Sequence, residues 1–186
     1  MVRLLLRVVP AFLILAAASV AAQAEPRLTP VPEPIEAPAL DVPELDGTLH
    51  RIEAYRGRTL IVSFWATWCA PCIVEMPSLA RLARQVPEDE IAVLAVNLGD
   101  RRERIDEFLA RVDTDGLTIL HDAENTLAEP WHIVGLPVTY VVAPDGRLSL
   151  VALGAREWDE EAMIARLRDV GAIDPVTSPP EQASAH

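Results

Sequence analysis

Residues Thr59–Trp65 (T-L-I-V-S-F-W) are apolar almost throughout, and a helical pattern opens shortly after them at Ala70. At the junction stand the only two cysteines of the chain, in Cys69-Ala70-Pro71-Cys72. A continuous apolar run of this length reads as a strand buried on both faces. Ile73, Met76, Leu79, Leu82, Ala83 and Val86 recur at helical spacing, which predicts a helix over 70–86 with this set lining one face and a kink at Pro77. A doubly covered strand feeding a helix that begins at a cysteine pair demands a layered α/β domain. Two cysteines exclude a multi-disulfide scaffold and a four-cysteine zinc site.

The flanking pattern extends the same architecture. Asp46-Gly47 is a turn signal between Leu40–Leu45 and Thr48–Ile52, which predicts a hairpin. Ile91–Asn97 is a second buried run, residues 101–112 have helical spacing, and Leu117–Leu120 is a short strand. Asn125–Trp131 is expected as a short helix. Val138–Ala143 and Arg147–Leu153 flank Pro144-Asp145-Gly146 and should pair antiparallel. A last helix, with Ala162, Met163, Ile164 and Leu167 inward, is expected to be N-capped by Asp159. The result is a three-layer α/β fold with a central mixed sheet, an N-terminal hairpin, a central helix–strand insertion, and helices covering both faces.

The ends differ in composition. Arg3 and Arg7 precede an uncharged, mostly apolar run from Val8 to Ala22, and Ala22-Gln23-Ala24 is an A-x-A site, so residues 1–24 read as a signal peptide, with an uncleaved membrane anchor as the alternative. Residues 25–38 are expected as a Pro-rich linker in extended conformation. The folded domain is expected over 39–173, and 174–186 as a disordered tail. The formal charge of −12, with no lysine, argues against nucleic acid and against a polybasic membrane contact.

The chemistry follows from where the cysteines sit. A helix N-terminus offers unpaired N–H groups and a positive partial charge, both of which favour thiolate over thiol. Cys69 at the tip is expected to be the exposed nucleophile, and Cys72, one turn in, the shielded resolving thiol. A purely structural disulfide closing so short a loop would contribute only about 2 kcal/mol. His50, His121, His132 and His186 are all distant in sequence from the pair, so no metal site is expected, and the active group is the redox-active Cys69–Cys72 disulfide with no further cofactor.

Phe64-Trp65-Ala66-Thr67-Trp68-Cys69-Ala70-Pro71-Cys72 resembles the active-site stretch of thioredoxin-fold proteins, and Glu75-Met76-Pro77 together with Gly135-Leu136-Pro137-Val138-Thr139-Tyr140 is similar to the TlpA/ResA-type thiol–disulfide oxidoreductases. The resemblance covers about residues 39–171, with a weaker cue in Ala155-Arg156-Glu157-Trp158-Asp159. It implies a cis-proline at Pro137 beside the sulfurs, with Leu136 offering its backbone to an extended substrate segment. Thioredoxin itself has a buried acid six residues before the first cysteine; here that position is Ser63. A proton-handling carboxylate must therefore come from elsewhere, and Glu75, on the Cys72 face of the helix, is the candidate. Trp68 is expected to cover one side of the sulfurs and provide a contact surface. Trp65 and Met76 suit packing, and Arg101, Arg102 and Arg104 a solvated helix face.

The expected function is an extracytoplasmic reductase of specific partner-protein disulfides, of the kind used in cytochrome c or cytochrome oxidase assembly. It would act by a mixed-disulfide relay, as a monomer, with a membrane thiol-transfer protein as electron donor. A disulfide-forming oxidant and a copper-binding assembly module are the competing readings. A peroxidase is disfavoured, because such a site wants Thr or Ser three residues before the cysteine and Ala66 is there.

Overall fold

A computed structural model describes residues 28–172 of the 186. The signal-peptide and tail expectations, over 1–24 and 174–186, lie outside the described residues. In chain order the strands are β1 (Thr29–Pro30), β2 (Asp41–Pro43), β3 (Leu49–Arg51), β4 (Thr59–Trp65), β5 (Ile91–Leu98), β6 (Thr118–Asp122), β7 (Val138–Val142) and β8 (Leu148–Leu153); the helices are α1 (Ala70–Gln85), α2 (Arg102–Leu109) and α3 (Glu161–Ala172). The main sheet has the order β1-β8-β7-β4-β5-β6, with β4, β5 and β6 parallel and β7 and β8 antiparallel to their neighbours. Every residue of β4 is buried, which explains its unbroken apolar run.

Alternate residues of the central strands feed two cores. Ile61, Val93, Ala95 and Val141 pack with Met76 and Leu79 of α1, Ile105 and Phe108 of α2, and Met163 and Leu167 of α3. Leu60, Val62, Leu94 and Val142 pack with Leu40 and Val42 of the hairpin, Tyr55, Leu127 and Trp131. The expectation of helices on both faces is thus corrected. The described helices share one face, while the β2–β3 hairpin, a short 3-10 turn (Ile52–Tyr55) and the turns after β6 cover the other. Large aromatic side chains make this thin layer sufficient: Trp131 lies 5.2 Å from Phe64 between ring centroids, and its indole N–H donates to Ala39 O.

Four local expectations are also revised. The expected helix over 125–131 is a set of turns, because the buried Asp122 carboxylate takes the N–H groups of Thr126 and Leu127 and Asn125 adopts φ 55°. Asp159 does not cap α3; its carboxylate is engaged by Arg81 of α1, at 2.6 and 3.0 Å. Ile73 faces solvent at 44% exposure, since the inward side of the first turn of α1 is taken by Cys72 and Glu75. Finally, the Pro-rich stretch expected as an extended linker outside the folded domain is extended but docked along β8 over residues 29–37. Val31 N–H donates to Ser149 O, Ala37 N–H to Gly146 O, and Ile35 O accepts from Leu148 N–H. Pro30 is paired in register with Leu150; since Val31 next to it donates to β8, alternation along the strand turns the Pro30 nitrogen away, as an edge strand allows.

Candidate active site

The C-terminal end of β4 delivers the chain to the cysteines. Trp65 is buried and packs on Phe108, ring centroids 4.6 Å apart, which fixes the direction in which the strand leaves the sheet. The turn that follows is tied to the end of β5: Thr67 N–H donates to Asp100 Oδ2 at 2.6 Å, and Asn97 Nδ2 donates to the same oxygen at 2.9 Å. Cys69 is the N-cap of α1, with Pro71 in the first turn where its missing N–H costs nothing. The two sulfurs are joined as a disulfide, and Cys72 N–H points at Cys69 Sγ, 3.3 Å away. Helix-end N–H groups therefore bear on the sulfur expected to react first.

Cys69 is less open than expected. It is only 4% exposed in this oxidised state, against 0% for Cys72. The asymmetry between the two is small. Trp68, expected to cover one side of the sulfurs and offer a contact surface, is 74% exposed.

The Leu136–Pro137 peptide bond is cis. Pro137 is buried at the start of β7, which pairs with β4 as far as Phe64 opposite Val138, so this turn lies at the same sheet end as the cysteines. Pro137 O accepts from Gly154 N–H at 2.9 Å, joining the turn to the loop after β8. Leu136 is half-buried and Val134 beside it almost fully exposed.

Glu75 is 2% exposed, one turn beyond Cys72. Its Oε1 accepts from Trp158 Nε1 at 2.7 Å and from Arg156 N–H at 3.1 Å; its Oε2 has only a 3.5 Å contact from Ser63 Oγ, which in turn accepts from Thr139 Oγ1 at 3.0 Å. The carboxyl thus sits against Ser63, the position that carries the acid in thioredoxin. Burial pushes it up to about 7, against the opposing pull of the Trp158 and Arg156 N–H groups, the Arg156 guanidinium and Ser63. A carboxyl raised in this way, one helical turn from Cys72, has the chemistry expected of a proton carrier.

Sequence reasoning expected the cysteines, Glu75 and the proline turn at one site; the structure sets Cys69, Cys72 and Leu136 in one apolar cluster and Glu75 one helical turn beyond Cys72, with its carboxyl held by Ser63, Arg156 and Trp158. Sequence reasoning missed Asp100 and Asn97, which hold the approach to Cys69, and Trp158 and Ser63 as partners of Glu75. Their only signal was polar or amphipathic residues at strand ends and in a loop. Of the histidines, His50 hydrogen-bonds Tyr55 and Glu44, and His121 meets Asp100 O. Among the described residues no group of three or more His, Cys, Asp or Glu is placed to hold a metal ion.

An exchangeable cysteine pair on the first turn of a helix, set on this sheet order, defines a thioredoxin-fold thiol–disulfide oxidoreductase. The sequence itself narrows the class. The chain belongs to the AhpC/TSA family, whose model matches residues 35–151. It is 31% identical over 120 residues to the thiol-disulfide oxidoreductase ResA of Geobacillus thermodenitrificans, a match covering 63% of this chain and 67% of that one. It is 36% identical over 92 residues to the thiol:disulfide interchange protein HelX of Rhodobacter capsulatus, half of each chain. In structure it is similar to a crystal structure described as a thiol:disulfide interchange protein DsbE from Chlorobium tepidum, with TM-score 0.67 at 24% identity over 74% of this chain and 96% of that one.

Proposed function

We propose that the protein is an extracytoplasmic reductase of partner-protein disulfides, serving cytochrome c or cytochrome oxidase assembly and recharged by a membrane thiol-transfer protein. The observation that carries the reducing direction is Glu75, an acidic side chain buried one helical turn beyond Cys72. An ionised carboxylate there opposes thiolate formation by like-charge repulsion, which favours giving electrons away over keeping them. The assembly role rests on the likeness to TlpA/ResA-type proteins, and the extracytoplasmic site on that likeness and the leader-like start.

In the cycle, reduced Cys69 attacks a substrate sulfur as thiolate. A Cys69–substrate disulfide forms, and the substrate's other sulfur leaves as a thiolate and takes up a proton. Glu75 removes the proton from Cys72. Cys72 Sγ then attacks Cys69 Sγ, the Cys69–substrate bond breaks, and the second substrate sulfur departs with the proton. Substrate gains two electrons and two protons; the protein becomes the disulfide seen here. Trp68 supplies a contact face, and Leu136 and Pro137 present backbone to the substrate segment.

Two measurements test this. Equilibration with glutathione buffers should place the Cys69–Cys72 couple below about −200 mV, and a value toward the oxidising end near −120 mV would reject the reductase. Cys72→Ser should accumulate a mixed disulfide with an extracytoplasmic partner, whose identity decides the assembly role. A reduced protein that bound copper tightly through Cys69 and His132 would support the metal-carrier reading instead.

A further inference from the structure

Glu75 is held unevenly. Both acceptor positions of Oε1 are occupied, by the Trp158 indole N–H and the Arg156 main-chain N–H, at 2.7 and 3.1 Å. Oε2 has a single long contact, to a hydroxyl that can itself turn and accept. A proton arriving at Oε1 would displace a buried donor and leave it unpaired, at a cost; a proton arriving at Oε2 displaces nothing and can be donated onward to Ser63 Oγ. The loop carrying the two donors is itself braced. Ser78 Oγ, on α1, donates to Arg156 O and accepts from Trp158 N–H, while the Arg156 guanidinium wraps back onto the carbonyls of Leu153, Gly154 and Ala155. Trp158 is fully buried, so its indole N–H has no water to turn to.

We propose that Trp158 is a positioning residue for the exchange reaction: with the Arg156 N–H it pins Oε1 of Glu75 and leaves Oε2 as the oxygen that takes the Cys72 proton and gives it back. This rests on the reading of Glu75 as the proton carrier. The groups that face Glu75 are few. On its own helix Cys72 stands one turn before it and Ser78 Oγ donates to its main-chain carbonyl; the carboxyl itself meets Ser63 of β4, with Thr139 of β7 behind, and Trp158 and Arg156 from the loop after β8. Glu157 and Asp159 are turned to Arg81. Arg156 is thus the charged neighbour among the described residues that acts on the carboxyl.

The full chain, reduced beforehand, is mixed with dithiobis(nitrobenzoate). Attack by Cys69 releases one coloured thiolate, and attack by Cys72 on the resulting mixed disulfide releases the second. The pH profile of the second release reports the proton carrier. In Trp158→Phe the ionised carboxyl loses a donor, so the midpoint of that profile should rise by about one pH unit, with about a tenfold slower second release below it. The first release should change less than about twofold. Because Phe is smaller than Trp, the same measurement is made with benzothienylalanine at 158, which keeps the ring and removes only the N–H. A second-phase profile that superimposes on the unaltered protein's with either replacement overturns the proposal. So does an equal shift in a Glu75→Gln background, where Trp158 would have no proton carrier to position. If Glu75→Gln alone leaves the profile untouched, it is the role of Glu75 that fails.

Discussion

The main-chain N–H of Thr67 is bonded to the carboxylate of Asp100, 2.6 Å away, across the gap between the ends of β4 and β5. Neighbouring parallel strands end here side by side, with Trp65 opposite Asn97. Asp100 therefore fixes the last free stretch of chain before Cys69. Asp100→Ala leaves the Thr67 N–H and the Asn97 amide without this acceptor. The expected result is about 1–3 kcal/mol less stability in urea and slower attack by Cys69 on a small disulfide. Asp100→Asn, which retains an acceptor oxygen, should recover most of both. Loss of stability with an unaltered Cys69 rate would show that the tie serves the fold and not the site.

Glu75 gives the oxidised protein a defined pH dependence. Its carboxyl titrates at about 7 in the fold against an ordinary value of 4.5. Between those values the folded state holds a proton that the unfolded state has lost. Stability from this group is therefore full below the unfolded value, falls as pH rises through the window, and is flat above the folded value. The span corresponds to about 3 kcal/mol. Glu75→Gln abolishes the titration, so the stability difference between variant and parent should grow in the variant's favour by about that amount from pH 4.5 to 7.5. A difference independent of pH would mean that the carboxyl is ionised in the fold throughout.

What could be read from the sequence divides along a physical line. β4 and the start of α1 were legible because burial on both faces and helical spacing leave a periodic record, and Cys69-Ala70-Pro71-Cys72 falls between them. The segment 125–131 was not, because its conformation is set by the Asp122 carboxylate reaching forward to Thr126 and Leu127, an event with no periodicity. Asp159 illustrates the same limit. It has the chemistry of a cap, but tertiary packing brought Arg81 within reach first. Glu75 could be nominated from its place after Cys72, yet its partners Trp158 and Arg156 are more than eighty residues away in sequence. Long-range polar contacts of this kind become visible only once the chain is folded.

Trp68, read as a docking residue, gives a prediction that separates recognition from chemistry. Its side chain is 74% exposed, immediately before Cys69 in the chain, so Trp68→Ala should change stability by less than about 0.5 kcal/mol. Reduction of a protein disulfide should show a raised KM, with loss of an exposed aromatic anchor costing about tenfold. Reduction of a small aliphatic disulfide should be unchanged. An equal loss toward both substrates would place Trp68 in the chemical step and not in docking.

The Pro-rich stretch before the hairpin supplies the last prediction. Because Val31 N–H donates to Ser149 O at 2.9 Å, and because Glu36 bridges to Arg147 further along, residues 29–37 close an edge of the main sheet that would otherwise expose β8. Val31→Pro removes a donor that bonds β8, unlike Pro30, whose nitrogen faces away. The variant should lose about 1–3 kcal/mol, and amide exchange along residues 28–37 and at the outward-facing N–H groups of β8 should quicken. Val31→Ala keeps the donor and should lose less than half as much. If both substitutions act alike, the stretch is held by side-chain packing alone and its backbone pairing contributes nothing to the fold.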